Sequence, residues 1–214
     1  MSINALSYIG VNSDKLDDWY NFAVKHLGMQ NIDNGSKSLT FKMDNQKQRF
    51  SISGEPGDAL AYLGWEVEKE TDLEMYANRL DKINVIVKLG NKNLTDKRFV
   101  NKLIYFDDPA GNRIEIVYKP HLDKDPFISG RPISGFKTDV CGLGHAVLHV
   151  SNIEDLIPFY KDILDFKISD YSFDPISLCF FHVNGRHHSF AMIETGQQGF
   201  HHFMVEYQNL DDIG

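Results

Sequence analysis

The chain repeats itself. Leu6-Ser7-Tyr8-Ile9-Gly10-Val11 matches Leu143-Gly144-His145-Ala146-Val147-Leu148. Ala61-Tyr62-Leu63-Gly64-Trp65-Glu66-Val67 matches His201-His202-Phe203-Met204-Val205-Glu206-Tyr207. Tyr8 to Tyr62 is 54 positions and His145 to His202 is 57. A repeat of this length is one supersecondary unit, and such a unit buries its apolar face only against a neighbouring copy. The chain is therefore expected to be a stack of like modules.

Within a cycle the periodicity changes in a fixed order. Ala5–Val11 reads as a strand. Leu16, Trp19, Tyr20, Ala23 and Leu27 then recur at helical spacing, and Gly28 stops the helix. Alternating segments near 38–43 and 49–53 read as strands. The second cycle opens on a strand at 61–67, followed by Thr71-Asp72-Leu73-Glu74 as a capping box, a helix, and strands near 103–106 and 113–118. The segment 121–138 holds Pro126, Gly130, Pro132 and Gly135, and reads as a linker. A third cycle runs from Cys141. It has a capping box at Ser151-Asn152-Ile153-Glu154, a helical face of Leu156, Phe159, Tyr160, Ile163 and Leu164, and strands around 166–171, 176–183 and 188–193. A fourth begins at His201. The expected fold is α+β, with tandem βαβββ modules in two domains, 1–135 and 136–214. The repeat arithmetic leaves the second domain short by roughly 70 to 80 residues.

Composition narrows the function classes. A net charge of −8 argues against a nucleic-acid binder. No apolar run is long enough to span a bilayer, and the N-terminus lacks a secretory pattern. Cys141 and Cys179 have neither metal-type nor disulfide-framework spacing, which fits thiols in the reducing cytoplasm.

The chemistry-bearing residues follow the repeat. Both early slots hold tyrosine and both late slots hold histidine, so a metal site is expected in the later copy alone. His145 and His149 share a strand face but lie roughly 13 Å apart, too far for one ion. His145 is the expected ligand, and His149 an ordinary strand histidine. His201 and His202 face opposite ways, and the match to Tyr62 selects His202. Glu206 is too far along the strand to be a third ligand. In Arg186-His187-His188-Ser189 only one imidazole can face inward. The plain alternative is a polar turn with an exposed histidine pair. The turn Asp108-Pro109-Ala110-Gly111-Asn112 feeds a strand with one inward carboxylate, Glu115. Two histidines and one carboxylate form the facial set of non-haem Fe(II) oxygenases. Glu115 is 53 positions after Tyr62, so the matching carboxylate of the later copy is expected near position ~255.

Gly144-His145 on a strand, Asn184-Gly185-Arg186-His187-His188 and His201-His202-Phe203-Met204-Val205-Glu206 together resemble the vicinal oxygen chelate (glyoxalase/bleomycin resistance) superfamily. Within it, the match is to the type I extradiol catechol dioxygenases. The resemblance implies an N-terminal domain without metal and a C-terminal domain that binds Fe(II), with Mn(II) as the alternative ion. It implies His145 and His202 as ligands, His188 as the acid–base residue, and Phe180, Val147 and His187 against the substrate. It further implies a catechol and O2 as reactants, a cytoplasmic enzyme and assembly into a homo-oligomer. The family's glutamate ligand lies in the fourth module, so the 214-residue chain is expected to be a fragment with impaired turnover. Two other readings use the same fold: a metal-free protein that sequesters small aromatics, and a metal isomerase of thiol adducts.

Overall fold

The computed structural model describes residues 3–32 and 37–214. The strands are β1 (Ile3–Asn12), β2 (Gln30–Ile32), β3 (Ser38–Lys42), β4 (Phe50–Ser53), β5 (Ala59–Val67), β6 (Lys88–Leu89), β7 (Val100–Asp107) and β8 (Arg113–Pro120). The later part adds β9 (Gly144–Val150), β10 (Lys167–Ser172), β11 (Leu178–His182), β12 (Phe190–Glu194) and β13 (Gly199–Val205). They form an eight-stranded sheet ordered β2-β3-β4-β1-β5-β8-β7-β6 and a five-stranded sheet ordered β10-β11-β12-β9-β13.

The repeat is visible in the pairing. β1 runs parallel to β4 and antiparallel to β5, while β9 runs parallel to β12 and antiparallel to β13. The register matches as well. Tyr8 opposes Gly64 and Gly10 opposes Tyr62, where the second sheet sets His145 against Met204 and Val147 against His202. Because strand side chains alternate faces, a common register is what puts the four residues of interest at equivalent points.

Helices cover each module. Helix α1 (Leu16–Tyr20) continues as a π-helical stretch over Asn21–Leu27 and ends on Gly28 at φ 86°, the left-handed stop expected there. Helix α2 spans Glu70–Asp81 and buries Leu73, Tyr76 and Leu80. Its first turn is not capped by Thr71. The N-cap is Lys69, whose backbone N–H meets the Asp72 carboxylate, so the box sits two residues earlier than the Thr-x-x-Glu pattern suggests. In the third module a π-helical turn, Phe159–Ile163, replaces a long helix. The Ser151 box is likewise displaced: the Asn152 side chain accepts from Glu154 N–H, and Ile153 N–H is taken by Glu194. A short helix absent from the sequence reading, α3 (Lys92–Arg98), is capped by Asn91 accepting from Leu94 N–H.

One hydrophobic cluster extends across both sheets. Trp65 of β5 is fully buried, 4.7 Å from the ring of Phe166 and 6.1 Å from that of Phe190. Phe50 of β4 meets Phe203 of β13 at 4.7 Å. Polar bonds cross the same boundary. Tyr160 donates to Asp108 Oδ2 at 2.7 Å, and Arg79 to Asp165 at 2.6 Å. Asp108 also accepts from Ala110 and Asn112 N–H, so the Asp-Pro-Ala-Gly-Asn turn closes on the carboxylate that anchors the second sheet. No helix among the described residues is long and apolar enough to cross a membrane, and both cysteines are free.

Candidate metal centre

His145 leaves β9 at its first turn of pleat, directly after Gly144. A Cβ built on Gly144 would lie 1.9 Å from the carbonyl oxygen of Met204. Only glycine lets β13 approach this closely, and that approach brings His202 to His145. A register shift between Phe200 and His202 re-aims the strand at the same place. The outcome is a separation of 3.2 Å between the two Nε2 atoms.

The hairpin before β12 supplies the third imidazole. Arg186 fastens it. Its guanidinium donates to the carbonyls of Lys137, Cys141 and Gly142 and to the Glu206 carboxylate at the end of β13. Asn184 adds bonds to the carbonyls of Asn4 and Cys141. So held, His188 stacks on His145 with ring centroids 4.1 Å apart. Phe180 of β11 lies edge-on to His188 at 4.9 Å and 5.9 Å from His187. Val147 is buried opposite His202. A cavity of about 310 Å³ opens beside His145, His187 and His188, with Cys141, Arg186 and Met204 among its other walls. Phe180 and Val147 lie against the imidazoles but do not line that cavity.

The remaining sequence candidates lie apart from the pair. His149 bonds Thr195 and packs against His201 at 4.5 Å. Glu206 is committed to Arg186 and Lys137. Among the described residues no group of three or more His, Cys, Asp or Glu side chains is arranged to hold an ion.

Electrostatics keep the cluster uncharged. Burial, then the neighbouring His188 and His202, then Arg186, push His145 down to about 3. Burial and His187 and His202 lower His188, and burial and His201 lower His202. Neutral imidazoles have a free ring nitrogen lone pair, the form a metal ion binds. Two ligand nitrogens about 2.1 Å from one ion and at right angles to each other would be roughly 3 Å apart, which the Nε2 pair matches. His145 Nδ1 is buried without a hydrogen-bond partner. The Nε2 pair fits two positions of a divalent ion's ligand set; a third protein ligand is not found among the described residues.

The equivalent point of the first sheet is built differently. Tyr8 and Tyr62 stand 5.7 Å apart, each covering the glycine it pairs with across the strands: a Cβ on Gly64 would meet the Tyr8 ring at 2.3 Å, and one on Gly10 the Tyr62 ring at 2.1 Å. Glu115, fully buried, accepts from Tyr8 Oη at 2.6 Å, from Arg98 through two nitrogens and from Arg113. The Arg98 guanidinium lies 3.5 Å over the Tyr62 ring. The positive charge at this point of the first sheet comes from arginine. The sequence reading marked Glu115 but not Arg98, which sits on the overlooked α3.

Comparison with known proteins agrees with this architecture. Residues 142–214 match the Glyoxalase/Bleomycin resistance protein/Dioxygenase superfamily, and residues 6–57 match the Dihydroxybiphenyl dioxygenase BphC D1 domain. The 3-methylcatechol 2,3-dioxygenase of Pseudomonas putida is 37% identical over all of this chain and 76% of its own length. The biphenyl-2,3-diol 1,2-dioxygenase of Metapseudomonas furukawaii is 33% identical over all of this chain and 73% of its own. Among solved structures, a catechol 2,3-dioxygenase superposes with a TM-score of 0.93 at 31% identity, covering 100% of this chain and 78% of that one. The halotolerant catechol dioxygenase BphC gives 0.93 at 30%, covering 99% and 72%. With its paired modules, its histidine-bearing second sheet and these relatives, the chain belongs to the extradiol catechol dioxygenases of the glyoxalase/bleomycin resistance superfamily, a family that works with a catalytic metal ion.

Proposed function

We propose that this chain acts in the ring cleavage of a catechol such as 3-methylcatechol or 2,3-dihydroxybiphenyl, with Fe(II), or Mn(II) in its place, held by His145 and His202. The observation that carries the reading is the pair of facing Nε2 atoms 3.2 Å apart. In this reading residues 1–135 are a metal-free scaffold domain and residues 136–214 bear the centre. A divalent ion held there by His145 and His202 would supply Lewis-acid chemistry toward a catechol and O2, and the two neutral imidazoles would leave its charge to be met by an anionic substrate.

His188 is the proton carrier. Its neutral form, favoured by burial and by His187 and His202, accepts a proton from a catechol hydroxyl and returns it later. Phe180 fixes the His188 ring from the edge. Phe180, Val147 and His187 are the residues assigned to the aromatic ring of the substrate. In the overall reaction the ring carbon–carbon bond beside the diol breaks, and both atoms of O2 enter the ring-opened product. Unpaired Cys141 and Cys179 support a reducing, cytoplasmic setting.

A second reading is a metal-free aromatic-binding protein on the same fold. The observation that favours it is the lack, among the described residues, of a three-ligand group. Anaerobic loading with Fe(II), then 3-methylcatechol and air in a single-turnover experiment, separates the two. Oxygen uptake with ring-opened product that requires both histidines supports the dioxygenase. Catechol binding with no oxygen uptake supports the sequestering protein.

A further inference from the structure

The first sheet encloses a cavity of about 690 Å³ that the metal chemistry does not use. Its lining includes Arg98 and Arg113, both paired with Glu115, and Gln48, Ser51, Tyr62 and Lys97. The charges there do not cancel. Among the described residues, the cavity's three cations are Lys97, Arg98 and Arg113. Against them stand Asp96 on the rim and Glu115 beneath, so one positive charge is left over. Asp96 is also bonded to Lys92.

Hydrogen-bonding capacity is left over too. Gln48 is 3% exposed; its side chain bears on Tyr62, but its Nε2 makes no well-aligned hydrogen bond among the described residues. Burying an amide donor unsatisfied costs free energy that a ligand's acceptor would recover. Arg98 and Arg113 use only some of their N–H groups on Glu115. Ser51 Oγ and Tyr62 Oη already bond each other. Beside these polar groups the cavity has apolar wall from Leu39, Ile52 and Phe99.

From these observations we infer that the first-sheet cavity is a binding site for a small organic monocarboxylate with an apolar body. The carboxylate accepts from Gln48 Nε2 and from the guanidinium groups of Arg113 and Arg98, while the hydrocarbon part lies on Leu39 and Ile52. A monoanion suits a lining of net positive charge, and planar carboxylate oxygens suit a guanidinium fork. This inference stands independently of the metal centre, because no residue of one site takes part in the other.

Benzoate is the probe, titrated by calorimetry into the full chain. One equivalent is expected to bind. Gln48→Leu should weaken it about tenfold, the factor set by one hydrogen bond to a charged group. Lys97→Glu, an exposed change that leaves the fold alone, should weaken it about threefold and make it less salt-sensitive. His202→Ala should leave the affinity unchanged, which separates this site from the second sheet. Inorganic phosphate should compete poorly. No benzoate binding up to about 10 mM, a millimolar ceiling well beyond an effective small-ligand site, would overturn the inference. Binding indifferent to both Gln48→Leu and Lys97→Glu would overturn it too, as would binding lost in His202→Ala. Phosphate binding more tightly than benzoate would overturn the carboxylate assignment.

Discussion

The Nε2 atoms of His145 and His202 face each other at 3.2 Å from neighbouring antiparallel strands, His145 one pleat step ahead of the Val147–His202 pair. The first sheet has the same register with Tyr8 and Tyr62, and there the two rings lie over glycines instead of converging on a point. In the first sheet the slots facing the phenol rings hold glycine; in the second, those facing the imidazoles hold valine and methionine.

The approach of β13 to β9 depends on Gly144. Gly144→Ala would put its Cβ 1.9 Å from the Met204 carbonyl oxygen, well inside the 3.0 Å that real Cβ contacts respect, so the strands would have to part. Divalent-ion affinity is expected to fall at least about tenfold, with thermal stability lower by about 1–3 kcal/mol. Calorimetric titration with Fe(II) under argon, alongside thermal melts, checks both. Unchanged affinity would show that strand spacing does not set the ligand pair.

Glu115 is a buried carboxylate serving two guanidinium groups. Glu115→Gln keeps the shape but strands the Arg98 charge, which burial in the cavity lining does not relieve. Stability is expected to drop by about 3–5 kcal/mol, read from urea unfolding. If the fold holds at low temperature, metal affinity should be unaltered, since His145 and His202 lie on the other sheet.

Tyr160→Phe tests the junction between the sheets. The phenol donates to Asp108 Oδ2, which also accepts from Asn112, so the carboxylate is not abandoned by the loss. A destabilisation of about 1–1.5 kcal/mol is expected. A change below about 0.3 kcal/mol, within the error of additivity between sites, would show that this hydrogen bond does not help join the sheets.

Acid should loosen the Asp44–Arg49 pair. Burial raises the Asp44 carboxyl, but the Arg49 charge and hydrogen bonds outweigh it, and the group ends below its ordinary value. A carboxyl lowered on folding adds stability that is full above its unfolded value, about 3.9, and is lost as pH falls through the folded value. The stability gap between wild type and Asp44→Asn should therefore be constant from neutral pH down to about 5 and shrink below about 4. A gap that widens in acid would reverse the assignment.

Much of the fold was legible because the repeat and the strand alternation are strong signals. β1, β5, β9 and β13 lie where the matching segments put them, and His145 and His202 meet as the Tyr-to-His comparison anticipates. What escaped has physical reasons. Helix α3, Lys-Asn-Leu-Thr-Asp-Lys-Arg, carries too little apolar periodicity to announce itself, and only Asn91 as N-cap marked it. With it went Arg98. The displaced caps at Lys69 and Asn152 show that a Ser/Thr-x-x-Glu pattern loses to whichever carboxylate the tertiary fold brings nearer. The charge balance in the first-sheet cavity depends on Arg98 meeting Glu115 17 positions on, which no local window displays.

The proposed function rests most directly on metal binding by the histidine pair. Anaerobic Fe(II) titration of the wild-type chain, His145→Ala, His202→Ala and His149→Ala decides it. The expected result is one ion per chain, retained in His149→Ala and weakened at least about a hundredfold when either member of the pair is removed, as the loss of one of two protein ligands requires. Equal affinity in all four proteins, or loss in His149→Ala alone, would contradict it.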